Sequence, residues 1–291
     1  MTASVWRFDA IGTVWEIETA APLDGAVRSA VTEDIDAFDR EWSRFRSDSL
    51  VSALARGAGA VPAPRDAEDM LAAYGDLSAA TGGAVNPLVG SVLERRGYDA
   101  SYSLVDGGAE PAPRDLLAVD DGLLTLREPA VIDVGALGKG RLVDLVLGVV
   151  AAAVPGDVVV DAGGDIAVRG GPHRIGLEHP FDARRAIGVV EVTDAALCAS
   201  ASNRRAWPSA TGETLHHVLD ARTGQPVRTI VAAWAVAPTA MRADAIATAL
   251  FFDGGARLAH DWGVEWVRML SDGRVEYSPA STATLFTASG P

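Results

Sequence analysis

The chain has one cysteine, Cys198, in 291 residues, which excludes an internal disulfide and any metal site built from several cysteines. Basic residues are also scarce. Lys and Arg number 25 against 39 Asp and Glu, a formal net charge of −14. No cluster of basic residues is long enough to follow a nucleic-acid backbone, so DNA and RNA are not expected as partners. No apolar run approaches membrane-spanning length, and the first residues show neither a basic segment followed by an apolar one nor a lipidation cysteine. A cytoplasmic protein without membrane insertion is therefore expected. No unit of about 20 to 50 residues repeats, which argues against a solenoid or propeller. There is no Gly-x-Ser-x-Gly elbow and no nucleophile context around Cys198, so an acyl-transfer triad finds no support.

Apolar residues are plentiful, at 48% of the chain, and suffice for a substantial core. Residues 5–19 alternate as strand, interrupted at Gly12-Thr13. Val27, Val31, Ile35, Phe38 and Trp42 then recur on one face of a helix. A short helix is expected from Leu50 to Leu54, a Gly/Ala/Pro linker over 56–65, and a helix from Asp66 to Ala80. Residues 99–130 read as polar and strand-like. Asp157 to Val168 reads as strand, glycine turn and strand, with short strands over 174–197 and 229–238, a helix from Arg242 to Phe252, and a strand meander from Gly263 to Thr287. Strands grouped with helices between them, without regular βαβ alternation, predict an α+β fold with mainly antiparallel sheets.

Five segments could carry chemistry. Val131 to Asp144 joins a strand to a helix through Gly135, Gly138 and Gly140, with Lys139 at the junction. Glycines there permit backbone conformations that a Cβ forbids, and the free N–H groups of the following helix, from Arg141 to about Val150, favour an anion such as phosphate. A tight connection with a solvated lysine would look the same. Asp244 and Thr248, four apart on one helix, put a carboxylate and a hydroxyl about 5 to 6 Å apart at Cβ, a pair suited to Mg²⁺ or to a helix start and a back-bonded threonine. His216-His217 precede a turn of Asp220, Thr223, Gly224 and Pro226, and either histidine could be structural or move a proton near neutral pH. Asp161 to Asp165 suits a hairpin turn. The arginines of Ala199 to Trp207, Arg204 and Arg205, could reach phosphates or lie on the surface. An acidic chain that binds a polyphosphate usually recruits a divalent cation, which mildly favours a metal-assisted site.

Taken in order, six pieces resemble the ApbE family, the FAD:protein FMN transferases. They are Trp42 to Ser49, Gly83 to Gly90, Ile132 to Gly140 with Asp144, Asp161 to Asp165, His217 to Gly224, and Pro238 to Thr248. The resemblance implies one domain over 1–291 with a duplicated T-fold-like α+β architecture. It also implies Mg²⁺-dependent transfer of FMN from FAD to a threonine hydroxyl of a target protein, with AMP released. By position it implies metal ligands at the Ala136 carbonyl, Asp244 and Thr248, and FAD contacts at Ile11, Phe45, Ala84, Val85, Asn86, Asp133, Lys139 and His217. His217 would move the proton and Lys139 would spread the phosphate charge. Asp133 would hold the adenine or ribose end. Three positions depart from the family pattern: Ala199 to Asn203 replaces a Thr-Ser-Gly segment with a following acidic residue and aromatic, Asn86 stands for an aspartate, and Phe45 for a position that can be tyrosine. Alternatives are an FAD pyrophosphatase giving FMN and AMP, a non-catalytic FAD-binding protein, and self-modification within Ser281 to Thr284.

Overall fold

Alternation along Ala196–Ala201 turns Ala196 and Cys198 to one side of its sheet and Leu197 and Ala199 to the other. The same period in Ile230–Ala237 turns Ala233, Ala235 and Ala237 one way and Trp234 the other. Small side chains on the first face let helices come close, and large ones on the second fill a wider gap. In the computed structural model, which describes residues 3–203, 205–209 and 212–286, these strands belong to an eight-stranded antiparallel sheet. Its order is Ser4–Ala10, Thr13–Thr19, Val158–Ala162, Asp165–Arg169, Ala196–Ala201, Ile230–Ala237, Glu265–Leu270 and Val275–Tyr277. Helices Gly25–Trp42, Gly138–Ala153 and Ala240–Ala249 pack on the small-residue side. A three-stranded sheet of His173–His179, Asp182–Val192 and Thr284–Leu285 covers the other, burying Leu177, Val190 and Val192 against Trp234 and Met269.

The α+β class with antiparallel sheets is as expected, and several boundaries move. The helix after the glycine loop runs Gly138–Ala153, and the later one Ala240–Ala249, with the Thr239 side chain accepting from the Arg242 N–H as its cap. The expected linker over 56–65 contains a strand, Gly59–Pro62, paired with Leu123–Leu126. Its small side chains give no periodic signal, whereas the partner supplies the fully buried Leu124 and Leu126. In the segment 99–130 the only strands are Leu117–Asp120 and Leu123–Leu126. Thr287, the expected end of the meander, lies outside the described residues, as does Arg204. Among the described residues no helix is long and apolar enough to cross a membrane.

Helices Gly138–Ala153 and Ala240–Ala249 are tied reciprocally. The Gly140 N–H donates to Asp244 Oδ2 at 2.9 Å, and the Ala240 and Met241 N–H groups donate to Asp144 at 2.7 and 2.9 Å. A methyl group on Gly140 would run into the Ala240 carbonyl and lie 2.7 Å from Cβ of Asp244. Gly140→Ala is expected to lower stability by about 1–3 kcal/mol through overpacking. A lower urea midpoint at unchanged slope is the expected reading, and a midpoint at or above that of the unmodified protein would contradict this packing account.

Candidate functional site

Strand order brings the glycine loop, the Asp161 to Asp165 turn and the Asp244 helix around one cleft. Asp161 Oδ1 accepts from the Gly164 N–H at 2.9 Å, closing a hairpin whose Gly163 and Gly164 have φ of 65° and 102°. The hairpin aims Asp165 inward, where it is fully buried. Lys139 Nζ stands 2.7 Å from Asp165 Oδ2 and donates to the Ala162 carbonyl at 3.0 Å, while Asp165 Oδ1 has no hydrogen-bond partner among the described residues. Burial pulls the Lys139 ammonium down, but Asp165 and Asp244 outweigh it and raise its pKa. Burial first, then the charge of Asp165, push the Asp244 carboxyl well above the usual range. Two carboxylates thus share one lysine, the only lysine in the chain. Thr248 Oγ1 lies 3.5 Å from Ser200 Oγ, so the altered 199–203 segment still brings a hydroxyl to the site.

Of the two histidines, His216 is tied to backbone through both ring nitrogens, at the Val227 carbonyl (2.7 Å) and the Val218 N–H (3.3 Å). His217 is the one that lines the cleft, and its Nδ1 has no hydrogen-bond partner among the described residues. Burial, then the charges of Arg205 and His216, push its pKa down to about 4, so it is neutral at pH 7.

All eleven residues expected at the site line a single cleft of ≈ 950 Å³: Ile11, Phe45, Ala84, Val85, Asn86, Asp133, Ala136, Lys139, His217, Asp244 and Thr248. That volume suits a dinucleotide. Individual environments differ from the expectation in instructive ways. Ile11 sits at φ 44° in the turn between Ser4–Ala10 and Thr13–Thr19, a strained conformation for a β-branched residue. Asn86 uses its amide on the fold, donating to the Pro113 carbonyl and capping Leu88, each at 2.9 Å. Asp133 accepts from Arg44 Nε at 2.5 Å and the Gly135 N–H at 2.7 Å, so both its oxygens are already engaged. The Arg44 guanidinium lies 4.1 Å from the Phe45 ring centre, and Tyr102 is stacked on that ring at 5.6 Å. None of Gly135, Gly138 and Gly140 has a positive φ, so the conformational freedom these glycines permit is not used in that way; close approach is what Gly140 serves.

A hard cation fits this chemistry. Among the described residues there is no group of three or more His, Cys, Asp or Glu side chains suited to a metal, so a cation here would rest on one or two carboxylates with hydroxyl and carbonyl oxygens. Mg²⁺ is commonly held that way, completing its shell with water and substrate phosphate. The crowded Asp165 and Asp244 beside a single lysine supply the negative charge it would balance. Asp165, Arg44 and Tyr98 are site residues that sequence reasoning did not assign a role, and Arg205 reads there as surface by default; the signal for Asp165 is its place in the Asp161 to Asp165 turn segment.

The family model described as the ApbE family matches residues 11–267. A FAD:protein FMN transferase of Rhodobacter capsulatus is 27% identical over 308 residues, covering 97% of this chain and 58% of the relative. One from Klebsiella pneumoniae is 23% identical over 278 residues, covering 87% and 79%. The chain therefore spans less than two thirds of the first of these. Among solved structures, the ApbE protein of Thermotoga maritima aligns with a TM-score of 0.84 at 22% identity, covering 96% of this chain and 97% of that one. The Pseudomonas stutzeri flavinyl transferase ApbE, in its apo form, aligns with a TM-score of 0.81 at 21% identity, covering 96% and 95%. At these identities the structural likeness speaks to the fold.

Proposed function

Because the chain belongs to the ApbE family, we propose that it transfers the FMN moiety of FAD to a threonine hydroxyl of a target protein, with Mg²⁺ as cofactor and AMP as the second product. The observation that carries this reading is the convergence of Lys139, Asp244, Thr248 and a neutral His217 on one cleft. Mg²⁺ would be held by Asp244, Thr248 and the Ala136 carbonyl, and when bound it offsets charge on the pyrophosphate oxygens. Lys139 adds a compact positive charge beside those oxygens. His217 takes the threonine proton on its imidazole as Oγ forms a bond to the FMN phosphorus. The bond from that phosphorus to the bridging oxygen breaks in line, and AMP leaves with the bridging oxygen and its electron pair.

The test is to follow AMP on mixing protein, FAD and an acceptor peptide. Release that requires added Mg²⁺ and stops with chelator supports the reading, whereas intact FAD under all of these conditions would sink it. Since Lys139 and the amino terminus are the only primary amines, an amine-selective reagent gives a second check. Modification of Lys139 is expected to abolish AMP release, and FAD with Mg²⁺ to protect it, as read by peptide mass. Unprotected labelling with full activity would remove Lys139 from the mechanism.

A further inference from the structure

Four cationic side chains line the cleft among the described residues, and three have carboxylate partners. Arg44 is paired with Asp133, Lys139 with Asp165, and Arg46 with Asp36, Asp39 and Asp48. Arg205 has no carboxylate partner among the described residues. Its guanidinium lies 5.6 Å from the ring centre of Tyr98, with Nη1 donating to the Tyr98 hydroxyl, and Nη2 approaches the turn at Gly12. It thus reaches from the segment before Ala206–Pro208 to two other walls of the cleft, and among the described residues the partner its guanidinium holds is a neutral phenol. Tyr98 keeps its proton, since burial first, with Arg205 opposing, sets its pKa at about 12.

A cation left uncompensated in a chain of net charge −14 is a directed feature of the electrostatics, because carboxylates are the most available partners. Guanidinium also matches phosphate oxygens in geometry as well as charge. We propose that Arg205 is a phosphate-binding residue of this cleft, which exchanges the Tyr98 hydroxyl for an oxygen of the substrate pyrophosphate. The inference rests on the flavin-transfer reading and adds a residue to it. Its consequence reaches His217, whose proton affinity is held down by burial first and by the charge of Arg205 next. Pairing Arg205 with an anion relieves that effect and makes His217 a stronger base when substrate is present.

The experiment compares ADP, which carries a pyrophosphate, with adenosine, which carries none, by calorimetry in the presence of Mg²⁺. Arg205→Met is expected to weaken ADP binding about tenfold or more, as loss of a charge-assisted hydrogen bond does, with adenosine unchanged. Arg205→Lys should recover part of the loss. Tyr98→Phe, which releases Arg205 without removing its charge, should not weaken ADP. Because Arg205 is exposed, its variants are expected to fold, checked by near-ultraviolet circular dichroism. Equal ADP affinity in Arg205→Met, or an equal loss for adenosine, would overturn the inference, the latter because it marks a role in shaping the aromatic end. FAD binding by the unmodified protein separates the two levels. Failure there sinks the flavin reading and this inference together, whereas FAD binding with an indifferent Arg205→Met sinks only the latter.

Discussion

Asp244→Asn is expected to lower flavin transfer about 10²–10³-fold, the cost typical of removing one group that stabilises charge in the transition state. Asp244 supplies charge to the cleft beyond its one bond to the fold, from the Gly140 N–H. Its carboxyl is buried at the cleft wall, accepts from the Gly140 N–H, and sits with Asp165 around one lysine. An asparagine keeps an oxygen for Gly140 and removes one of two crowded negative charges. The metal-free variant should therefore unfold within about 1 kcal/mol of the parent, the scale of one ordinary hydrogen bond. Activity that collapses while stability holds is the signature. A variant that loses both equally would make Asp244 a packing residue, and one that keeps full activity would remove the metal from this position.

His217→Ala is expected to cost about 10²–10⁴-fold in transfer, the range for a lost general base, while FAD still binds. The sign of its pH dependence follows from the direction of its shift. The folded pKa of about 4 lies below the ordinary 6.5, so His217 stays neutral in a range where an exposed histidine is protonated. kcat/KM, which reports the free enzyme, should stay nearly level from pH 7 to about 5 and fall below that. Stability carries the same sign: the contribution from burying the neutral ring is present above pH 6.5 and is lost as pH falls through about 4. An acid limb centred at 6.5 in kcat/KM, absent from His217→Ala, would contradict the burial of this ring in the free protein.

Asp244 and Thr248 could be paired from sequence because helical spacing alone fixes their common face. Lys139 was visible for a similar reason, being set at a strand-to-helix junction among glycines. What Gly140 does was not visible, since its neighbour is Ala240, a hundred residues later. Asp165 illustrates the same limit more sharply. As a turn residue it is unremarkable, and its burial against Lys139 arises only when Asp165–Arg169 takes its place between Val158–Ala162 and Ala196–Ala201. The strand Gly59–Pro62 escaped because backbone pairing, not side-chain alternation, makes it a strand. From sequence Arg205 reads as surface by default, with phosphate as the other reading, and it is the pairing of the other three cleft cations that favours phosphate.

Transfer of FMN from this cleft to a protein hydroxyl is tested most directly by the intact mass of a threonine-bearing acceptor after incubation with the protein, FAD and Mg²⁺, with AMP quantified in the same sample. An acceptor heavier by one FMN moiety, formed in equal amount to AMP and lost when its threonine is changed to alanine, is the predicted result. AMP accompanied by free FMN and an unmodified acceptor would contradict transfer and identify water as the nucleophile.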